Sequence, residues 1–171
     1  MRVLFKEPKE FYDELPETFM IENENISQID RHPFLQAQCD SSSGGKVNFA
    51  GKLAALFNTD DQISLYFYDS WAFVGSGRDV PCMIQRLLRP NDPHFDIYAQ
   101  SFHLIGAEQS LLHAVFACGL YFEWGLFVYG LNSRLLVRID DELAATFWPE
   151  NARMLPRIAE IFEDSIFKTA E

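Results

Sequence analysis

The stretch that decides the fold is Phe122-Glu123-Trp124-Gly125-Leu126-Phe127-Val128-Tyr129-Gly130-Leu131-Asn132-Ser133-Arg134-Leu135-Leu136-Val137-Arg138-Ile139-Asp140. Phe122, Trp124, Leu126 and Val128 alternate with Glu123, Gly125, Phe127 and Tyr129. That is the period of two of a β-strand, whose successive side chains point to opposite faces. Gly130 to Ser133 supplies turn chemistry. Leu135, Val137 and Ile139 then alternate with Leu136, Arg138 and Asp140 on the returning strand. A third strand is expected from Leu143 to Trp148. A hairpin excludes a purely parallel sheet.

Working outward, Ile63, Leu65 and Phe67 alternate with Ser64, Tyr66 and Tyr68, and Trp71 to Val74 reads as the return strand of a second hairpin. Val3 to Phe5 and Phe95 to Ala99 are shorter strand signals. Helical spacing marks Pro8 to Leu15, the face Phe49/Leu53/Leu56/Phe57, Pro81 to Leu88, and the stripe Leu111/Leu112/Val115/Phe116, with Gly119 as its stop. A last helix is expected from Pro156, burying Leu155, Ile158, Ala159, Phe162 and Ile166. Residues 19–30 fit no single pattern. The expected fold is α+β: a mixed, mostly antiparallel sheet of about five strands with helices packed on it. Asp40 to Gly45 reads as a flexible loop inside one domain spanning residues 1–171.

The chain has 171 residues, 48% of them hydrophobic and 16 of them Phe, enough for an aromatic-rich core. Cys39, Cys82 and Cys118 are odd in number and follow no metal or disulfide spacing, so they read as small buried thiols. The N-terminal residues lack the apolar run of a signal peptide, and no stretch approaches the length of a membrane span. A cytoplasmic protein with no membrane association is the expectation.

The net charge is −11, and it sits at the two ends: residues 1–30 and 140–171 each hold eight acids against three bases. Such a balance repels phosphates, so nucleic acid is not an expected partner. Gly75-Ser76-Gly77 before Arg78 resembles a phosphate loop, but position 80 is Val and no Gly-Lys-Ser/Thr follows. Arg78, Arg86 and Arg89 form the one basic cluster. His32, His94, His103 and His113 sit at no metal-ligand spacing, and no cofactor motif is present. No serine lies in a nucleophile elbow. The acids Asp60-Asp61 and Asp140-Asp141-Glu142 fall in turns, where acids are solvated. Glu123, flanked by Phe122 and Trp124, reads as a strand residue paired with Arg134 or Arg138.

Leu111-Leu112-His113 on a helix, Phe122-Glu123-Trp124 entering an aromatic hairpin, then Asp140-Asp141-Glu142 and an acidic final helix resemble the small acidic α+β immunity proteins of bacterial toxin–immunity systems, including those of contact-dependent growth inhibition. The likeness covers the C-terminal third. It implies a non-enzymatic inhibitor that binds and occludes one basic, nuclease-like toxin. Asp140, Asp141, Glu142, Glu160, Glu163 and Asp164 are the candidate partner-binding residues. Two other readings stay open. One is an enzyme or small-ligand binder whose site gathers His94, His103, His113 or Glu123. The other is a nucleic-acid mimic with carboxylates spaced like phosphates.

Overall fold

The computed structural model describes residues 2–6, 8–16, 19, 33–68 and 101–170. Their elements, in chain order, are β1 (Arg2–Lys6), α1 (Pro8–Glu14), β2 (Phe34–Gln38), α2 (Ser43–Leu56), β3 (Gln62–Phe67), β4 (Ser101–Ile105) and α3 (Gln109–Tyr121). There follow β5 (Leu126–Gly130), β6 (Leu135–Ile139), β7 (Ala144–Pro149), a 3-10 turn (Ala152–Met154), α4 (Leu155–Ile161) and β8 (Ile166–Ala170). The class is α+β. The sheet is larger than the sequence suggests, with 8 strands in the order β1-β4-β3-β5-β6-β7-β2-β8. Every described pairing in it is antiparallel.

That order explains where the helices go. Because neighbours alternate in direction, β2 and β3 run the same way, as do β4 and β5, and β7 and β8. Strands that follow each other in the chain and run in parallel cannot be joined by a tight hairpin. Each pair is bridged instead by a helix: α2, α3 and α4 respectively. A shared handedness of such crossovers places the helices on one face of the sheet. There Phe49, Leu53, Phe116, Leu120, Ile158 and Phe162 pack against Leu65, Val128, Val137 and Phe147. On the other face, α1 and Phe19 cover Tyr66, Phe127, Tyr129, Leu136 and Trp148. Tyr66 and Phe127 stack there at 6.4 Å, with Phe11 tilted 5.6 Å from Tyr66. With both faces covered, β5 and β7 are buried at every position.

Several expectations need correction. Residues 43–45 are the first turn of α2, not a loop: Ser42 is its N-cap and accepts the Gly45 N–H at 3.1 Å. Gly119 lies inside α3, which ends at Tyr121 with Phe122 as its C-cap. The left-handed residue there is Glu123 (φ 55), and Trp124 N–H reaches back to the Gly119 carbonyl at 2.9 Å, the six-to-one bond of a Schellman end. So residues 122–125 close a helix, and the strand begins at Leu126. The last helix stops at Ile161, and Ile166 belongs to β8, paired with β2. Both β2 and β4 went unread in the sequence. The readings at residues 20–32, 71–74, 75–78, 81–89 and 94–99, with Cys82, lie outside the described residues.

Asp60 is not solvated. It is 5% exposed, and its Oδ1 accepts the N–H groups of Asn132 (2.7 Å) and Ser133 (2.8 Å), fixing the β5–β6 turn. A Cβ on Gly130 would come within 2.7 Å of Asp60 Oδ2, so glycine is required there. Asp60→Ala strands two turn N–H groups and should lower stability by about 1–3 kcal/mol in urea unfolding.

The glycines of α2 divide in the same way. A Cβ on Gly45 would meet Asp40 Cβ at 2.6 Å, whereas one on Gly51 would meet only His113 Nε2 at 3.9 Å. Gly51→Ala should therefore stabilise by about 0.5–1 kcal/mol through helix propensity. Gly45→Ala should destabilise, and a matched pair of urea melts tests both.

Candidate functional site

Two polar arrangements compete for attention, one inside the molecule and one on it. The inner one comes from the register. β3–β4 pairing puts Ser64 opposite His103, and α1 lays Glu14 over both. Ser64 Oγ donates to Glu14 Oε2 and lies 2.9 Å from His103 Nδ1, which is 3.3 Å from Glu14 Oε1. A nucleophilic serine needs a ring nitrogen free to take its proton, with the acid on the other nitrogen. Here serine and acid share Nδ1, and the hydroxyl proton points at the carboxylate. Nδ1 must then carry a hydrogen that both oxygens accept. Ser64 is 1% and His103 5% exposed. The trio fixes α1 to the sheet.

The outer arrangement lies on the helical face. An open groove of about 860 Å³ runs along α2, lined by Ser43, Gly44, Val47, Asn48, Gly51, Lys52 and Ala55, with His113 and Tyr121 of α3 and Ile161 of α4. His113 Nε2 contacts the Val47 carbonyl at 3.0 Å, which assigns the hydrogen to Nε2. The Tyr121 hydroxyl reaches the Ser43 carbonyl at 3.4 Å. The exposed large hydrophobic side chains among the described residues are Val47 (44%), Tyr121 (44%) and Phe122 (47%). Two line the groove, and the third follows Tyr121 in the chain and stacks on Trp124 at 5.2 Å.

The six acids expected at an interface lie on the end of α4 and on two turns, and Asp140 and Asp141 stand near Tyr68, which packs on the α1 side of the sheet. Glu160 is exposed on α4, next to Ile161, and Glu163 and Asp164 are exposed in the turn that follows. Asp141 and Glu142 are exposed on the β6–β7 turn. The end of β2 joins the two turns: Gln38 N–H donates to the Ser165 carbonyl at 2.8 Å, and its side-chain amide donates to the Glu142 carbonyl at 2.8 Å. Asp40, two residues on, is held below the usual carboxylate range by the N–H and hydroxyl of Ser42. The β6–β7 turn is fixed by Leu143 in the left-handed region (φ 63) and by Asp140 Oδ1, which accepts the Ala144 N–H at 2.8 Å.

Asp140 differs from its neighbours. It is half-buried, and burial pushes its carboxyl above the ordinary range against the lowering pull of the Ala144 N–H and Arg138. Glu123 pairs with Lys46 at 3.7 Å rather than with Arg134 or Arg138, and it is mostly exposed. Arg134 is bound to Glu150, and Arg138 donates to the Tyr68 hydroxyl at 3.1 Å. Burial raises the Cys39 thiol to about 11, and it raises Cys118 as well, so both stay protonated at neutral pH. His103 and His113 lie in separate places, one under α1 and one in the groove; His32 and His94 lie outside the described residues. Among the described residues, no group of three or more His, Cys, Asp and Glu is placed to hold a metal, and no helix is long and apolar enough to cross a membrane.

The acids were legible in the sequence, but the groove was not. Its lining is spread over three helices, and the start of its floor, Ser43 and Gly44, reads in the sequence as part of a loop. The unspent signal was Ser42 as a cap before a helix that carries glycines.

Comparison with protein-family models, with curated proteins and with solved structures gives no significant match. What the fold and surface define is an α+β domain with an apolar groove and exposed acids.

Asp140 makes stability depend on pH. A carboxyl raised in the folded state contributes stability that is complete below the ordinary carboxylate range and is lost as pH rises through the folded value. Asp140→Asn keeps an oxygen for the Ala144 N–H but carries no charge. Its stability relative to the parent should rise between pH 3 and pH 7, read from urea midpoints.

Proposed function

We propose that the chain is a non-enzymatic, protein-binding inhibitor that neutralises a basic partner, in the manner of an immunity protein against a cognate nuclease-like toxin in the bacterial cytoplasm. The observation that carries this reading is that Gln38 joins the turn carrying Asp141 and Glu142 to the turn carrying Glu163 and Asp164, in a molecule whose α2–α3–α4 groove exposes Val47 and Tyr121. An apolar centre with a polar rim is the anatomy of a protein interface. Exposed large hydrophobic side chains gathered on one face suit such a contact.

The charge suits a particular partner. A nuclease surface attracts phosphate, so an acidic rim accelerates encounter with it and repels acidic competitors. Exposed acids together with an apolar groove favour a protein partner with its own apolar anchor over a purely electrostatic contact. This supports the inhibitor reading over a nucleic-acid mimic. The Ser64–His103–Glu14 geometry, with both partners on one nitrogen, gives an enzyme reading no relay to work with.

The test uses a variant carrying Asp141→Lys, Glu142→Lys, Glu163→Lys and Asp164→Lys, all at exposed positions. Parent and variant are immobilised, and native host lysate is passed over each at low and high salt. The parent should retain a basic protein in stoichiometric amount, with an association rate about 10-fold or more above the variant's at low salt. Melting temperatures should agree within a few degrees. Equal association rates at low salt would sink the reading.

A further inference from the structure

The glycines of α2 pose a problem that the fold does not solve. Gly44, Gly45 and Gly51 fall within fourteen helical residues, and glycine weakens a helix. Gly45 is accounted for by Asp40. Gly44 has nothing within 4 Å of the place a Cβ would take, and Gly51 has only the His113 ring edge, at ordinary contact distance. Among the described residues, nothing requires either to lack a side chain. Both line the groove, with Ala55 one turn beyond Gly51. Small residues keep a helix surface bare, so that another backbone can come close.

Building on the inhibitor reading, we infer that the α2–α3–α4 groove is the seat for an amphipathic, basic α-helix of the partner, laid along the bare face at Gly44, Gly51 and Ala55 and gripped by Val47, Tyr121 and Ile161. The length fits: Ser43 to Ala55 at 1.5 Å per residue is roughly 18 Å, about three turns of a helix. The walls fit as well. They are helices whose backbone groups are satisfied internally, so they offer no open row of N–H and C=O groups to an extended strand. That leaves side-chain packing of the helix-in-groove kind.

The charge selects a basic helix. Glu160, Glu163 and Asp164 are exposed on and just after the helix that carries Ile161, and Asp40 bonds Ser42 at the start of α2. Of the cations there, Lys52 lies over the Phe162 ring at 5.8 Å, Lys46 lies over the Tyr121 ring at 5.7 Å and pairs with Glu123, and Arg157 is exposed one turn before Ile161. A helix with leucines at i, i+3, i+4 and i+7 and lysines on its flanks meets apolar floor and acidic rim together.

The probe is a synthetic 18-residue peptide of Leu, Lys and Ala in that pattern, labelled with fluorescein and titrated by fluorescence anisotropy. A control peptide has the same composition in scrambled order. The patterned peptide should bind about 10-fold or more tighter than the scrambled one and shift the Gly44 and Gly51 amide resonances. Gly51→Leu fills the groove and should weaken binding about 10-fold. Val47→Lys, at an exposed site that leaves the core untouched, should do the same and covers the case in which Gly51→Leu disturbs α2.

Three results would overturn the inference: equal binding of both peptides, patterned binding indifferent to both variants, or self-association of the free protein abolished by Gly51→Leu. The last would give the groove to a second copy of the chain. The two readings also fail separately. If Gly51→Leu and Val47→Lys still capture the basic lysate protein at the parent rate while the charge-reversed variant does not, the helix seat is wrong and the inhibitor survives. If the charge-reversed variant captures it as fast as the parent, the inhibitor reading falls.

Discussion

The constraint on which everything else rests is that the central strands are buried on both sides. In β3 and β5, Leu65 and Val128 point to the helical core, while Tyr66, Phe127 and Tyr129 point the other way and are equally covered. Fully burying such a side chain contributes about 1.5–3 kcal/mol. Leaving one face open would forfeit several such contributions. Hence the chain needs a layer on each side: three crossover helices on one, α1 with Phe19 on the other. Tyr66 and Phe127, stacked 6.4 Å apart, hold the thinner layer through Phe11.

This double burial also decides where chemistry can happen. Polar side chains on the strands, such as Ser64 and His103, are sealed beneath α1 and become fastening points. Among the described residues, the back of α2 and the turns at the end of β2 are parts of the surface that face outward. Gln38 matters here out of proportion to its size. By bonding to Ser165 and Glu142 it ties the turn after α4 to the turn after β6, so acids about twenty residues apart in the chain stand on one edge. Leu143, held at φ 63 with its amide donating to the Asp140 carbonyl, keeps the second of those turns from relaxing.

The parts legible in the sequence are those where one local rule acts alone. The alternation at residues 126–130 and 135–139 survives because the hairpin between them is short and pinned by Asp60. The stripe Leu112/Val115/Phe116 is a plain helix face. The failures have physical causes of the opposite kind. Ile166 keeps helical spacing with Phe162, yet the turn at residues 162–165 intervenes and pairing with β2 wins. Phe122-Glu123-Trp124 alternates like a strand, but Glu123 accepts the left-handed region and the helix bond from Trp124 takes over. In β2, Phe34-Leu35-Gln36-Ala37-Gln38 alternates faintly, and its place between β7 and β8 is a tertiary fact. Of the candidate site, the acids could be named from composition along the chain; the groove required knowing which helices become neighbours.

Gly44 and Gly51 show how a conflict between levels becomes informative. Local propensity argues against them, and packing is indifferent to them, so neither level explains why they stand in α2. Gly45 against Asp40 and Gly130 against Asp60 each have an internal reason, whereas Gly44 and Gly51 share one surface and have none among the described residues. Stability has been surrendered along the strip of helix that lines the groove, and the exposed apolar side chains lie on and beside that strip. Alanine at position 51 would strengthen α2 at no cost that the described residues show.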